Sequence, residues 1–148
     1  MKHKFSFPVK TDSQKLQMIA AAWMREGFQN GNAEIVEELY DENFVDCSVI
    51  GMNTDKNKLK EWISALHKAF PDFLASVQEY GADPASNMVS IKWSAHGTHK
   101  ETYMNIPPQG SRIYFKGIEI IKIKNNKIIE RWAGWNSIEI QRQLRRLI

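Results

Sequence analysis

Residues 115–136 have the sequence F-K-G-I-E-I-I-K-I-K-N-N-K-I-I-E-R-W-A-G-W-N, and this stretch decides the predicted fold. Asn125 and Asn126 interrupt two segments that are rich in β-branched residues. Asparagine tolerates the positive φ angles that a two-residue hairpin turn requires. The stretch therefore predicts two antiparallel strands, 111–124 and 127–135, joined by a tight turn.

Simple alternation from the turn gives the hairpin a predicted register. It pairs Glu119 with Trp132 and Phe115 with Asn136. These four side chains then share one face, which we assign to the interior of the protein. The opposite face is apolar, which predicts a homodimer through the outer face of the sheet. Its members are Ile118, Ile120, Ala133 and Trp135.

Two more strands precede the hairpin. Apolar and polar residues alternate over 73–77 and again over 89–95, and the turn-forming segment 81–84 separates them. His99 continues the apolar parity of the second strand, so its side chain should point inward. Residues 100–110 contain two consecutive prolines, which cannot donate hydrogen bonds within a sheet, and we predict a loop there.

Helical periodicity dominates the first half of the chain. Thr11-Asp12-Ser13-Gln14 has the form of a capping box, and the helix that it begins should end near residues 27–30. Asn32 can cap a second, shorter helix, and Thr54 or Asp55 can cap a third. The first two helices should pack against each other.

The remaining segments complete an α+β pattern. A short strand is predicted at 44–50 and a short helix at 137–148, while residues 1–10 have the character of a loose arm. Helices followed by antiparallel strands predict an α+β domain, with the helices packed on one face of a curved sheet. At 148 residues the chain fits one domain, 1–148.

Composition and charge narrow the class of protein. No apolar run approaches the length of a membrane span, and the start of the chain lacks the features of a signal peptide. The single Cys47 cannot form an internal disulfide, so we expect a buried, inert thiol in a reducing cytoplasm. The net charge is +3, but the basic residues are dispersed apart from a small cluster at Arg142, Arg145 and Arg146. Because no binding module is recognised, we expect no nucleic-acid partner.

No cofactor or metal site is expected. The four histidines show no H-x-x-x-H pair or Cys/His spacing, and His96 and His99 should lie on opposite faces of a strand. The chain also lacks the glycine-rich motifs that bind phosphate. We therefore predict no metal ligands and no bound nucleotide.

Four motifs occur in order along the chain: A-F-P-D-F at 69–73, W-S-A-H-G-T-H at 93–99, N-I-P-P-Q-G at 105–110 and the stretch at 115–136. Together they resemble the SnoaL-like polyketide cyclase, or ester cyclase, family over nearly the whole chain. The resemblance implies an NTF2-like (cystatin-like) cone, in which a curved antiparallel sheet and three N-terminal helices enclose a deep pocket. It also implies a cofactor-free intramolecular aldol ring closure.

Two positions of the resemblance bear on catalysis. In the family, an aspartate in an E-x-W-x-x-x-D arrangement acts as acid and base, and the histidine of the G-T-H segment lies close to the substrate. Here the histidine is His99, while Asn136 fills the aspartate position. A neutral amide cannot accept the proton from the carbon next to a carbonyl, and a positioned general base contributes about 10²–10⁴-fold in rate.

Glu119 is the predicted substitute for the missing aspartate. The alternation places its carboxyl group among apolar side chains such as Ile121 and Trp132, where the charged form is disfavoured and a general base can be tuned towards neutral pH. Two structural alternatives remain open. A bulge could turn Glu119 outward, or Arg112 or Arg131 could pair with it.

The other candidates also have two interpretations each. His99 could shuttle a proton or polarise a carbonyl, or it could be a structural histidine with satisfied hydrogen bonds. Asn136 could orient a carbonyl through its amide, or it could end the last strand and cap the final helix. The predicted ligand-binding residues are Trp23, Trp62, Trp93, Phe115 and Trp132, of which Trp93 and Trp132 are our choices for the pocket wall.

Two functions follow from these candidates. The first is a small cofactor-independent enzyme that removes a proton next to the carbonyl of an apolar compound before ring closure or isomerisation. Glu119 would be the base, with His99 and Asn136 as polarising donors. The second is a protein that binds an apolar or aromatic small molecule without chemistry, and the fold alone cannot decide between them.

Overall fold

The computed structural model describes residues 10–48 and 55–145. It consists of a curved five-stranded sheet and helices. The helices are α1 (Asp12–Ala22), which continues as a π-helical segment (Trp23–Gln29), α2 (Ile35–Leu39), α3 (Lys56–Ala69) and α4 (Ser137–Leu144). The strands are β1 (Tyr40–Asp46), β2 (Leu74–Asp83), β3 (Met88–Thr98), β4 (Arg112–Lys124) and β5 (Lys127–Trp135). The strand order is β1-β5-β4-β3-β2. The predicted α+β class is confirmed, but the sheet is mixed and not purely antiparallel, because β1 runs parallel to β5.

Two helices begin where the sequence predicts. At α1, the Thr11 hydroxyl accepts a hydrogen bond from the Gln14 backbone N–H, and the Gln14 side chain accepts one from the Thr11 N–H, which completes the capping box. At α3, the Asp55 carboxylate accepts a hydrogen bond of 2.9 Å from the Lys58 N–H. The helix ends before Pro71, because proline disfavours helical geometry in the residue that precedes it.

Three local predictions are wrong. Helix α2 begins after Glu34 without a side-chain cap, so Asn32 is not the cap. The strand predicted at 44–50 begins earlier, at Tyr40. Cys47 is exposed and not buried.

Some predictions lie outside the described residues. These are most of the N-terminal arm at 1–10, the end of the strand predicted at 44–50, the capping alternative at Thr54 and the last residues of the tail, including Arg146.

A bulge changes the register of the β4–β5 hairpin. Asn125 and Asn126 form the predicted turn with φ angles of 52° and 64°. Ile123 then pairs with Ile128, but the next β4 residue pairs with Glu130, so one residue of β5 is left over. Every β5 residue beyond this bulge therefore lies on the opposite face from the one that simple alternation predicts.

The corrected register exchanges the two faces of β5. Glu119 lies opposite Ala133, while Trp132 lies opposite Ile120 on the outer face. Trp135 points inward, opposite Gly117. The bulge is favoured because it directs Arg131, an ion-pair partner for Glu119, to the interior, where straight alternation would direct the carboxylate of Glu130.

The C-terminal helix completes the hydrogen bonding of β4 where β5 has ended. The Tyr114 backbone N–H donates to the Gln143 side-chain oxygen over 2.7 Å, and the Gln143 amide donates back to the Tyr114 carbonyl over 2.9 Å. In the same way, the Lys116 N–H donates to Oδ1 of Asn136, whose own N–H donates to the Lys116 carbonyl. The Gln143 side chain, together with the side chain and backbone N–H of Asn136, therefore makes the hydrogen bonds that a neighbouring strand would otherwise make.

Candidate functional site

His99 lies just beyond the end of β3 and is completely buried, at 0% exposure. Its backbone N–H donates to the Ser111 carbonyl over 2.9 Å, and its carbonyl accepts from the Gly110 N–H over 3.0 Å. The imidazole stacks on the Phe70 ring, with 5.6 Å between the ring centroids and 25° between the planes. The inward orientation that the sequence predicts for His99 is therefore confirmed.

The imidazole of His99 is an unsatisfied polar group. Neither Nδ1 nor Nε2 makes a hydrogen bond with any of the described residues. Burial lowers the pKa of His99; the backbone groups of Glu101 and Ile106 favour the charged ring but do not complete a hydrogen bond. The ring is therefore neutral at pH 7, with one nitrogen free to accept a proton and the other carrying one.

A tight turn in the loop after β3 lies beside this ring. Tyr103 and Ile106 exchange two backbone hydrogen bonds of 3.0 and 2.9 Å, and Met104 and Asn105 between them adopt positive φ angles of 52° and 62°. The Tyr103 ring packs edge-on against Phe70, with 5.2 Å between their centroids. Burial raises the pKa of Tyr103 to about 12, so its hydroxyl stays protonated at neutral pH.

Packed aromatic side chains run from His99 along the inner face of the sheet and form an aromatic wall. Phe115 packs against Phe70, with centroids 5.2 Å apart, and stacks on Trp135 at 5.8 Å. Trp135 in turn contacts Trp62 at 5.7 Å and Trp93 at 6.3 Å. The aromatic wall therefore contains Trp62, Trp93 and Phe115, for which ligand binding stays a prediction, and Trp135 joins it in place of Trp132.

Glu119 points inward but does not have the apolar surroundings that we expected. Its Oε1 accepts hydrogen bonds from Nε1 of Trp23 over 2.9 Å and from Nε of Arg131 over 2.8 Å. Nη1 of Arg131 also donates to the Asp46 carboxylate over 2.8 Å. All three ionisable groups are buried, so the structural alternative, pairing with Arg131, describes this carboxylate. Trp23 is a core residue that binds Glu119.

Electrostatic balance within this cluster rests on the two carboxylates. Burial alone would lower the pKa of Arg131, but the charges of Glu119 and Asp46 outweigh it and hold the pKa above its ordinary value. Tyr40 lies next to the cluster, and its buried hydroxyl has no partner among the described residues. Burial, and then the charge of Glu119, raise the pKa of Tyr40 well above the usual value. No sequence pattern indicated that Tyr40 would lie next to this cluster.

Asn136 does not join the interior group. Its side-chain oxygen binds the Lys116 backbone N–H, and the residue precedes α4 without forming a side-chain cap. The prediction that Phe115, Glu119, Trp132 and Asn136 share one face is therefore wrong for the last two. The bulge in β5 and the binding of the Asn136 amide to the edge of β4 are the physical reasons.

Two concavities lie on the outer face of the sheet. One, of about 760 Å³, is mainly apolar and includes Ile118, Ile120 and Trp132. The other, of about 890 Å³, lies between the sheet and α4 and contains cationic and hydroxyl side chains. Ile118 is 58% exposed, and the predicted apolar outer face thus exists. The register directs Ala133 and Trp135 to the inner face, although both also border the apolar concavity.

Metal and membrane features are absent from the described residues. Within 10–48 and 55–145, no group of three or more His, Cys, Asp or Glu side chains could hold a metal ion. In the same ranges, no helix combines the length and the apolar character needed to cross a membrane.

The fold has well-matched counterparts among solved structures. A proposed SnoaL-like polyketide cyclase from Jannaschia sp. CCS1 matches with a TM-score of 0.84 and 12% identity, over 97% of this chain and 100% of that chain. A proposed polyketide cyclase from Acidithiobacillus ferrooxidans matches with a TM-score of 0.75 and 26% identity, over 92% and 98%. AclR from Streptomyces galilaeus, a proposed hydroxylase, matches with a TM-score of 0.80 and 17% identity, over 92% and 99%.

These neighbours define the class by its fold: the chain is an α+β protein with the NTF2-like cone fold. The sequence model of the SnoaL-like polyketide cyclases matches residues 18–144, and the chain belongs to that family. The family that the sequence motifs predicted is thus confirmed. No curated protein matches the chain.

Proposed function

We propose that this protein binds an apolar or aromatic carbonyl compound against His99 and transfers a proton at the carbon next to the carbonyl, without a cofactor. One observation carries the proposal. The His99 imidazole is fully buried and leaves both ring nitrogens without a partner. Buried polar groups are nearly always hydrogen-bonded, so an unsatisfied imidazole beside an aromatic wall calls for an external partner.

His99 takes the role that the sequence suggested for Glu119. Oε1 of Glu119 already accepts hydrogen bonds from Trp23 and Arg131, whereas the neutral His99 ring can accept a proton directly. The nitrogen takes the proton from the carbon, and the electron pair of the broken C–H bond forms an enolate. In ring closure the enolate carbon attacks a second carbonyl, and the imidazolium returns its proton to the alkoxide that forms. In isomerisation the imidazolium delivers the same proton to a different carbon of a conjugated enolate.

The aromatic wall favours a flat substrate. Phe115 and Trp135 stack with 29° between their planes, and Trp62 and Trp93 both contact Trp135. Rings of this kind bind planar apolar surfaces and contribute few hydrogen bonds of their own. We propose that substrate reaches His99 when the loop at 100–110 opens, as such covering segments do in many enzymes.

The test is deuterium exchange, which needs no knowledge of the ring-closure product. Aromatic ketones and β-keto esters are incubated with the protein in D₂O, and loss of the signal from the protons next to the carbonyl is followed by ¹H NMR. His99→Gln should slow exchange at least about 100-fold, as expected for removal of a general base. His96→Gln is the matched control, because His96 lies on the outer face. Equal exchange in both variants would contradict the proposal.

A second function, binding without chemistry, is supported by Asn136. This residue fills the family's acid/base position with a neutral amide, and its oxygen is already bound to the Lys116 N–H. In the same NMR experiment, line broadening of a ketone without exchange, abolished by Trp93→Ala, would assign this function. Exchange that depends on His99 would exclude it.

We also propose a homodimer through the apolar part of the outer face. Ile118 is 58% exposed beside Ile120 and Trp132. Monomeric proteins rarely leave a large contiguous apolar patch exposed to solvent. Ile118→Lys should convert a dimer into a monomer in light scattering coupled to size exclusion. Ile138→Lys is the control, because Ile138 is 70% exposed on α4 and lines neither concavity. A monomeric parent protein would contradict the proposal.

The proposed compartment is the cytoplasm. A single cysteine, Cys47, leaves no internal disulfide to be maintained. Fractionation of cells that express the tagged chain would test this, and recovery outside the cytoplasm would contradict it.

A further inference from the structure

The larger outer concavity presents positive charge without matching carboxylates. Arg112 and Lys116 are exposed members of its lining, and neither forms a salt bridge with any of the described residues. Glu139 is the acidic member of the lining, and it lies 3.7 Å from Arg142. The Asp72 carboxylate interacts with Arg112 without forming a salt bridge and is itself bound to Thr98, so a net positive field remains in the concavity.

Hydrogen-bond donors surround the two cations. Nη2 of Arg112 lies 2.8 Å from Nδ1 of His96, and since the guanidinium is always protonated, Nδ1 is the acceptor and Nε2 carries the proton. The Ser94 hydroxyl accepts a hydrogen bond from the Gln78 amide over 2.7 Å, and it can donate its own proton either to the Ser76 hydroxyl, 3.5 Å away, or to a bound anion.

An apolar platform separates the cations. Arg112, Tyr114 and Lys116 are alternate residues of β4, so their side chains leave the same face of the sheet about 7 Å apart. Tyr114 is 56% exposed and Leu74, which also lines the concavity, is 52% exposed. The cations thus stand roughly 14 Å apart at their backbones, one on each side of an exposed aromatic ring.

We propose that this concavity binds an elongated organic dianion with a flat apolar body. One anionic group pairs with Arg112 near the His96 donor, the body lies on Tyr114 and Leu74, and the second anionic group pairs with Lys116. The site is separate from His99, which is buried inside the protein, and it does not depend on the proton transfer proposed there.

The probe is naphthalene-2,6-dicarboxylate, with the monoanion 2-naphthoate and the neutral 2,6-dicarboxamide as graded controls. With about 16 non-hydrogen atoms and ordinary ligand efficiency, the dianion should bind with a Kd on the order of 0.3 mM. Backbone amide shifts in ¹H–¹⁵N NMR should change at Tyr114, Lys116 and Gln143. The monoanion should bind more weakly and the diamide more weakly still.

Charge variants locate the binding. The double variant Arg112→Gln/Lys116→Gln should raise the Kd roughly five- to thirtyfold, since two partly exposed ion pairs are lost. Lys122→Gln/Lys124→Gln removes the same charge from the same strand outside the concavity and should change the Kd less than about twofold. His99→Gln should leave the Kd unchanged.

Three results would overturn the proposal. The first is equal affinity for the dianion and the diamide, and the second is an equal loss of affinity in the two charge variants. The third is an apparent Kd that rises with protein concentration as a dimer forms, because a second copy of the chain would then cover the concavity.

Discussion

Nε of Arg131 donates to Oε1 of Glu119 over 2.8 Å, and both side chains are more than nine-tenths hidden from solvent. The two residues belong to neighbouring strands, and they meet because the bulge in β5 turns Arg131 inward. Asp46 and Trp23 complete the cluster. A buried charge pair with additional hydrogen bonds costs much more to break than to keep.

Glu119→Gln should destabilise the protein by about 3 kcal/mol, because Arg131 loses one of its two carboxylate partners in a buried site. Urea denaturation monitored by tryptophan fluorescence measures the change. Glu79→Gln on the exposed side of β2 should stay within about 0.5 kcal/mol of the parent protein. A cost for Glu119→Gln as small as that of the control would show that the pair is not formed.

Trp135→Ala should cost about 3 kcal/mol, because Trp135 packs between Phe115, Trp62 and Trp93 on the inner face. Trp132→Ala should cost less than half as much, since Trp132 lies on the outer face. Thermal unfolding of the two variants compares them directly. A larger cost for Trp132→Ala than for Trp135→Ala would contradict the bulge and support the straight register that simple alternation predicts.

Acidification should destabilise the protein through His99. Burial lowers the pKa of His99 in the folded state, so below about pH 6.5 the unfolded chain binds the proton more readily. Stability therefore rises with pH between the folded and unfolded pKa values, by at most about 1.4 kcal/mol per pH unit for one proton. Above that window His99 imposes no cost.

The unfolding free energy at pH 5.5 and pH 7.5 measures this effect. In His99→Phe the difference between the two pH values should shrink, because the titrating group is gone and the new ring can still stack on Phe70. His96→Gln should keep the difference found in the parent protein. An unchanged difference in His99→Phe would mean that burial does not perturb this imidazole.

Asn136→Asp should not create cyclase activity, because the side chain at this position binds the Lys116 N–H and is not directed at the aromatic wall. Stability should change by less than about 1 kcal/mol, since the carboxylate keeps the acceptor. Asn136→Ala should cost about 1 kcal/mol by leaving that N–H without its partner. A gain of deuterium exchange in Asn136→Asp would show that the side chain can reach the substrate.

Local sequence signals predicted a large part of the fold. The capping box at Thr11, the cap at Asp55 and the turn at Asn125 and Asn126 depend on short-range hydrogen bonds and backbone preferences, and all are present. His99 could be placed inside because no bulge interrupts β3 before it in the pairing with β4.

The rest depended on tertiary structure. The extra residue Ile129 belongs to an ordinary β-branched run, and only the pairing of Arg131 with Glu119 shows why the bulge is favoured. The parallel pairing of β1 with β5 joins segments far apart in the chain, which periodicity cannot indicate. The same bulge explains why Trp135 points inward, although simple alternation predicts Trp132 there.

Gln143 and Asn136 cover the backbone of β4 with hydrogen bonds, and cleavage before α4 would remove this cover. Loss of α4 would uncover two consecutive pairs of strand donors and acceptors, at Tyr114 and Lys116, next to an apolar surface. An open row of that kind is a template on which strands from other molecules can add. Proteolysis near residue 136 would therefore expose a strand edge on which fibrous aggregates can start to form.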